Sequence, residues 1–326
     1  MTPMSLQSRA FWIAEPGRGE LRDEVLADPG ADEVLIRAVY SGISRGTEAL
    51  VFNGRVPTSE YQRMRAPFQA GEFPAPIKYG YASVGRVEHG PRDVQGRHVF
   101  VLHPHQTAYI VPADSAYLLP ERVPPGRAIL AANLETAING LWDARPHVGD
   151  RLAVIGAGTV GCLVAWVAGR IAGCDVELID VNPHRSAVAT TLGVRFATPS
   201  QASDAADVVI HASGSPAGLD LAFRLAAFET TVVEMSWYGT DVVPMALGEA
   251  FHARRLRLTS SQVGAIAPSQ RARWGYRRRM ELALSMLSEP ALDALITGES
   301  HFDALPEVMA KLAKDHGNTL CHRVRY

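Results

Sequence analysis

The pattern of apolar and polar positions changes near residue 125. Upstream, short runs are separated by Gly and Pro. Glu33 to Tyr40 alternates polar and apolar side chains, which predicts a half-buried strand. Ala82 to Glu88, His98 to Leu102 and Thr107 to Val111 predict further short strands, so residues 1 to about 120 read as mostly β. Asn53 to Pro76 differs: it carries Arg55, Arg63, Arg65, several prolines and little periodicity, and reads as a long surface excursion. Downstream, helical spacing runs from Pro125 through Leu141, after which apolar runs and helical segments alternate. Leu152–Ile155, Val176–Ile179, Asp207–Ile210, Thr231–Met235 and Leu256–Ser260 predict strands, with a helix through Leu163, Val167 and Ile171 and another over Pro216–Phe228. Strands alternating with helices predict a parallel sheet covered on both faces. A basic amphipathic helix over Arg271–Leu287, a helix over Pro306–Leu312 and a strand around Leu320–Arg325 complete the chain, with no internal repeat.

Composition changes this picture little. The chain has 326 residues, enough for two domains with separate cores, and 47% apolar and 20% charged residues, as in ordinary globular proteins. A formal charge of −2 gives no general attraction to nucleic acid or to an anionic membrane. No apolar run is long enough to span a bilayer, and MTPMSLQSRAFWIAEPG lacks the apolar core of a signal peptide. Cys162, Cys174 and Cys321 are widely spaced, which suits a reducing compartment and packing roles; a cytoplasmic protein is expected.

The chemistry concentrates in Arg151 to Asp180. The apolar run Leu152–Ile155 leads into Gly156-Ala157-Gly158-Thr159-Val160-Gly161, a G-x-G-x-x-G, then a helix, a second strand and Asp180. In such a loop Gly156 permits the tight turn, Gly158 lets the backbone approach a pyrophosphate, and Gly161 lets helix and strand pack closely. The phosphates sit at the helix N-terminus, where unpaired N–H groups and the dipole favour an anion. A carboxylate at Asp180 accepts both ribose hydroxyls of NAD and repels a 2′-phosphate, so NAD is the expected cofactor.

Over almost its whole length the chain resembles the medium-chain dehydrogenase/reductase superfamily. The matching stretches are Ser41-Gly42-Ile43-Ser44-Arg45-Gly46-Thr47-Glu48, Gly80 to Val87, Ala131-Ala132-Asn133-Leu134-Glu135, the glycine loop, and His211-Ala212-Ser213-Gly214-Ser215. The SGISRGTE signature resembles the bacteriochlorophyllide a dehydrogenase branch. The resemblance implies an α/β fold: a GroES-like β domain over 1–122 and 289–326, and a doubly wound, six-stranded parallel Rossmann sheet within 123–288, with the active site in the cleft between them. It also implies cofactor contacts from Thr159, Val160, Asn182, Arg185, Ser213, Ser236, Trp237 and Tyr238. Trp237 and Tyr238 could equally cover a subunit interface, since relatives often form homodimers.

Zinc-dependent members use a cysteine, a His-Glu pair and a third Cys, Asp or Glu. Here Ser44 stands at the cysteine position and Tyr81-Ala82 at the His-Glu position, while Glu135 alone matches a ligand. No metal is therefore expected, the alternative being a relocated site at His103 and His105, which would point the same way on a strand. Without zinc, Tyr81, Ser44 and Thr47 are the candidates for handling the proton that accompanies hydride transfer. Tyr81 either donates to a substrate oxygen, acting as a base only if a nearby cation such as Lys78 lowers its pKa, or merely fills the vacated pocket. Glu48 is either a general base or the partner of Arg45 in a structural ion pair. Glu135 is either a substrate contact or a remnant held by Ser44 or Tyr81. Arg271, Arg273, Arg277, Arg278 and Arg279, with Trp274 and Tyr276, read as a solvated helix face rather than a nucleic-acid site; with Arg55, Arg63 and Arg65 they could hold an acidic substrate. The expected activity is zinc-independent, NAD(H)-dependent interconversion of a small-molecule alcohol and carbonyl. The alternatives are a C=C reductase like the quinone oxidoreductases, or a non-catalytic NAD-binding regulator.

Overall fold

The structure, a computed structural model, describes residues 6–314 and 317–326. The first five residues of the stretch read for a signal peptide lie outside them. The upstream part comprises β1 (Leu6–Glu15), β2 (Arg18–Leu26), β3 (Glu33–Ile43), helix α1 (Arg45–Phe52), β4 (Ala70–Gly71), β5 (Ile77–Lys78), β6 (Ser83–His89), β7 (His98–Val101), β8 (Ala108–Pro112), β9 (Tyr117–Leu118) and the single turn α2 (Pro125–Ala128). There follow α3 (Ala131–Ala144), β10 (Arg151–Ile155), α4 (Thr159–Ala168), β11 (Asp175–Ile179), α5 (Arg185–Leu192) and β12 (Arg195–Ala197). After these come β13 (Val208–His211), α6 (Pro216–Leu225), β14 (Thr231–Glu234), β15 (Arg257–Ser260) and α7 (Tyr276–Met286). The chain ends with β16 (Ile296–His301), α8 (Leu305–Lys314) and β17 (Cys321–Arg325). Among the described residues no helix is long and apolar enough to cross a membrane.

Two compact units result, Met1–Ala132 with Leu284–Tyr326, and Asn133–Ala283. The first holds a four-stranded sheet in the order β2-β1-β5-β4 and a larger sheet in the order β16-β17-β3-β6-β7-β9, with β8 also paired to β3. It is the GroES-like unit, and the C-terminal β17 returns to pair antiparallel with β3. Val34, Ile36, Val87, Val99, Val101 and Tyr109 form one of its cores. Each such side chain contributes roughly 1.5–3 kcal/mol by leaving water.

The second unit is the Rossmann sheet, parallel throughout, in the order β12-β11-β10-β13-β14-β15. Its central strands β10, β11, β13 and β14 are mostly apolar and buried, as strands covered on both faces are, while the edge strands β12 and β15 are partly exposed. Ile155, Val209, Val232, Leu219 and Phe223 meet in one core cluster. The order reverses between β10 and β13, where open α/β sheets bind ligands beyond the strands' carboxyl ends.

Three expectations need correction. The helix read from Pro125 to Leu141 is broken: α2 closes with a tight bond from Leu130 N–H to Arg127 O, and α3 starts afresh at Ala131. Asn53 to Pro76 is more than a surface excursion, because it contains a 3-10 turn at Thr58–Glu60 and buries Val56 and Phe73. The basic helix starts at Tyr276, not Arg271.

Candidate functional site

The glycine loop joins β10 to α4, and the backbone demands glycine at two of its three glycine positions. Gly156 has φ +103°, and a Cβ there would lie 2.6 Å from Ser213 Cα. A Cβ on Gly161 would lie 1.8 Å from Gly156 O, so only glycine lets α4 approach the loop. Gly158 is an ordinary extended residue, φ −74° and ψ 178°, with nothing within 4 Å of its Cβ position. That space borders the N-terminus of α4, where the N–H groups of Thr159 and Val160 begin the helix without a side-chain cap. Asp180 follows β11 and reaches the same loop: its Oδ2 accepts from Ala157 N at 2.7 Å and its Oδ1 from Asn182 N at 2.8 Å. The Asn182 side chain accepts from His184 N, and Arg185 is buried at the start of α5. These groups fit a dinucleotide: pyrophosphate in the space beside Gly158, ribose at Asp180.

Across the switch point, β13 and β14 end in His211 and Glu234; the sequence places His211 in a matching stretch but assigns neither residue a role. His211 is fully buried; its Nδ1 lies 2.7 Å from Glu234 Oε2 and its Nε2 2.6 Å from Ser213 Oγ. Glu234 also accepts from Ser236 N at 2.7 Å and from the Tyr238 hydroxyl at 3.1 Å. Burial opposes its ionisation, but the His211 and Ser236 bonds outweigh this and hold its pKa below the usual carboxylate value. Burial and the Glu234 charge push the Tyr238 phenol well up. Ser213, Ser236 and Tyr238 thus share one network, while Trp237 stands half-buried beside it. The signal was a polar residue closing each apolar strand.

In the first unit, Tyr81, Ser44 and Thr47 do come together. Burial pushes the Tyr81 phenol up to about 12, and the Glu48 charge adds to this, against hydrogen bonds from Ser44 and Thr47. Tyr81 therefore keeps its hydroxyl proton at neutral pH. Lys78, the proposed activating cation, goes elsewhere: its ammonium donates to Glu24 at 2.8 Å and to Gln106 at 2.9 Å. Glu48 is buried, accepts from Ser44 N at 2.7 Å and pairs with His105 Nε2 at 2.9 Å. His105 Nδ1 reaches Ser41 Oγ at 2.7 Å, which also bonds the Tyr326 hydroxyl at 2.9 Å. His103 and His105 do not share a strand face, because β7 ends at Val101. His103 stacks 3.7 Å from the Tyr109 ring, and its Nδ1 bonds Pro104 O. Burial lowers its pKa to about 3.

Glu135, on α3 in the second unit, is held by Arg279 of α7 at 2.9 Å rather than by Ser44 or Tyr81. Arg279 also donates to Asn139 Oδ1 and Val263 O, both at 2.6 Å. Burial lifts the Glu135 pKa above its ordinary value, against the pull of the guanidinium.

No family model matches the chain. D-guloside 3-dehydrogenase of Escherichia coli K12 is 25% identical over 304 residues, covering 82% of this chain and 86% of the relative. The 2-desacetyl-2-hydroxyethyl bacteriochlorophyllide A dehydrogenase of Rhodobacter capsulatus is 29% identical over 215 residues, 60% of this chain and 62% of the relative. Two solved structures share the fold over 98% of this chain. One, described as a zinc-binding dehydrogenase from Sinorhizobium meliloti 1021 bound to NADP, has a TM-score of 0.78 at 19% identity and is covered over 100% of its length. The other, an alcohol dehydrogenase from Escherichia coli CFT073 complexed with NADH, has a TM-score of 0.76 at 16% identity and 99% coverage. The chain thus has the fold of these dehydrogenases and is similar in sequence to members of the medium-chain dehydrogenase/reductase superfamily.

Against the superfamily's zinc pattern, the three ligand positions here hold a serine hydroxyl, a protonated phenol with an alanine beside it, and a carboxylate already paired with arginine. This donor set does not fit zinc, which takes thiolate, neutral imidazole and free carboxylate ligands. Among the described residues no group of three or more His, Cys, Asp or Glu side chains is placed to hold a metal. Burial pushes the Cys162 and Cys321 thiols up to about 12, so both are packing residues. The arginines read as one solvated face divide: Arg278 stacks on Trp274 and Arg277 pairs with Glu281, but Arg279 points inward. Arg63 and Arg65 pair with Glu60 and Glu72.

Proposed function

We propose that this chain is a zinc-independent oxidoreductase that interconverts an alcohol and a carbonyl, using NAD(H) in preference to NADP(H). The observation that carries the cofactor reading is Asp180, whose carboxylate bonds the backbone of the glycine loop beside the space at Gly158. A fixed negative charge there accepts ribose hydroxyls and repels a 2′-phosphate. When bound, the nicotinamide supplies the hydride acceptor or donor. The chain's own residues bind and move protons. The N–H groups of Thr159 and Val160 meet the pyrophosphate, and Ser213, Ser236 and Tyr238 line the sheet's other half.

Tyr81 is the proton donor to a carbonyl oxygen. Its raised pKa keeps the hydroxyl protonated at neutral pH, and its bonds to Ser44 and Thr47 fix its direction. The serine hydroxyl, protonated phenol and arginine-paired carboxylate at the three ligand positions favour metal-free chemistry.

The test is titration of the protein with NADH and NADPH by intrinsic fluorescence, for wild type and Asp180→Ala, with elemental analysis of untreated protein. We expect NADH to bind at least tenfold tighter than NADPH, and the difference to collapse in Asp180→Ala. NADPH binding as tight as NADH in the wild type would refute the NAD assignment. Stoichiometric zinc would refute the metal-free chemistry, and failure to bind either nucleotide would refute the oxidoreductase reading.

A further inference from the structure

Ser213, His211 and Glu234 form a continuous hydroxyl–imidazole–carboxylate chain at the carboxyl ends of β13 and β14, with links of 2.6 and 2.7 Å. A carboxylate only accepts, so His211 Nδ1 carries the proton and Nε2 offers its lone pair to the Ser213 hydroxyl. The imidazole cannot turn away. It is fully buried, and Glu234 is itself fixed by Ser236 N–H and the Tyr238 hydroxyl. Helix α6 is cut back to make room: a Cβ on Gly218 would lie 2.2 Å from Ser213 Oγ and 2.6 Å from His211 Nε2. Ser213 itself is exposed, on a strand-to-helix turn. A nucleophile bonded to a base that a third group orients is the arrangement that activates serine toward acyl groups.

We propose that Ser213 is an activated nucleophile that accepts acyl groups from small activated esters, a reactivity separate from hydride transfer. In the first step Ser213 Oγ bonds to the acyl carbon and the ester C–O bond breaks. The hydroxyl proton passes to His211 Nε2 and from there to the departing alcohol oxygen. Water, giving its proton to the same Nε2, then attacks the acyl-serine, releases the carboxylic acid and restores the hydroxyl. The N–H of Gly214, next after the nucleophile, donates to Ser236 Oγ at 3.0 Å and so is committed elsewhere. Loss of one oxyanion donor costs about 10²–10³-fold in rate. Turnover should therefore be slow, while a single acylation stays measurable.

The full chain, freed of nucleotide, is incubated with p-nitrophenyl acetate and, separately, with a fluorophosphonate probe, and adducts are located by peptide mass spectrometry. The expected result is one equivalent of adduct on Ser213, absent in Ser213→Ala and formed at least tenfold more slowly in Glu234→Gln. Ser213→Ala leaves the buried His211 Nε2 without its 2.6 Å partner and should melt a few degrees below the wild type, yet stays folded at the assay temperature and so remains the control even if Glu234→Gln folds poorly. No adduct, an adduct on another residue, or nitrophenol release unchanged in Ser213→Ala overturns the proposal. NADH, in the oxidoreductase reading, should cover Ser213 and slow labelling at least tenfold. If that reading alone is wrong, NADH fails to bind and Ser213 is still labelled.

Discussion

Arg279→Met removes the guanidinium while keeping an apolar side chain of similar reach on the inward face of α7. Glu135, 5% exposed, then has no cation, Val263 O loses the Arg279 donor, and Asn139 Oδ1 keeps only the Ala267 N–H at 3.2 Å. Breaking a buried ion pair from one side costs about 3–5 kcal/mol. The charge share can be bounded separately. The variant's cheapest response is to protonate Glu135, and holding a carboxyl of ordinary pKa neutral at pH 7 costs roughly 3.7 kcal/mol at 1.36 kcal/mol per unit. At roughly 2–4 °C per kcal/mol, the melting temperature should fall by about 6–20 °C. The sign of the pH dependence follows. In the variant the folded-state pKa of Glu135 is raised, so the penalty is absent below the unfolded pKa and grows as pH rises toward the folded one. Lowering the pH from 7.0 to 5.5 should recover roughly 2 kcal/mol. Glu135→Gln leaves Arg279 a buried cation with neutral acceptors only; it should also cost about 3–5 kcal/mol but show no such recovery. Urea unfolding of both variants and the wild type at the two pH values measures this. If Arg279→Met loses the same stability at both pH values, the claim that Arg279 serves to compensate a buried Glu135 charge is wrong.

The glycines of the loop should separate folding from binding. Gly158→Ala has an ordinary φ and open space, so thermal melting should change by less than about 0.5 kcal/mol while NADH affinity falls at least tenfold. Gly161→Ala drives a Cβ into Gly156 O and should destabilise the protein by about 3 kcal/mol or more; equal melting of the two would contradict the packing argument. Of the nine tyrosines, Tyr79, Tyr81, Tyr109, Tyr238 and Tyr326 have raised pKa values, each chiefly through burial. The stabilisation tied to their protonated form is complete below the unfolded pKa of about 10 and is lost as pH rises through the folded values. Absorbance at 295 nm should therefore show a late alkaline phase coincident with unfolding, and Tyr81→Phe should remove a component near 12. A single step near 10 would refute it.

What was legible in the chain was local. β10, the glycine loop, α4, β11 and Asp180 lie within 30 residues, and each is dictated by neighbours a few positions away. The alternating strands after residue 150 were legible for the same reason. The hairpin of β1 and β2 was not, because β2 carries charge on both faces and shows no apolar alternation. Helix α1 was hidden by reading Arg45 to Glu48 as a motif rather than as a first helical turn. The partners of the site residues were the least legible. Glu48 meets His105 across 57 positions and Glu135 meets Arg279 across 144, separations that only the fold closes. For Arg279 a signal existed. It shares the spacing of Met280, Ala283, Leu284 and Leu287, so it sits on the apolar stripe of α7 and could not have been solvated.

These two pairs explain how the chain tolerates positions that in zinc-dependent relatives serve a metal. A carboxylate buried in a protein needs a counter-charge or hydrogen-bond donors. A divalent cation is one way to supply them, and without it the carboxylate must be neutralised, exposed or re-paired. Glu135 is re-paired, with a guanidinium that also binds a side-chain amide and a backbone carbonyl. Glu48 is held likewise by His105 and by the Ser44 backbone. Ser44 and Tyr81 then need only be neutral, and both are, bonded to each other instead of aimed at an ion. Changing Ser44 or Tyr81 alone leaves the Glu135–Arg279 pair in place, so that carboxylate stays committed to arginine.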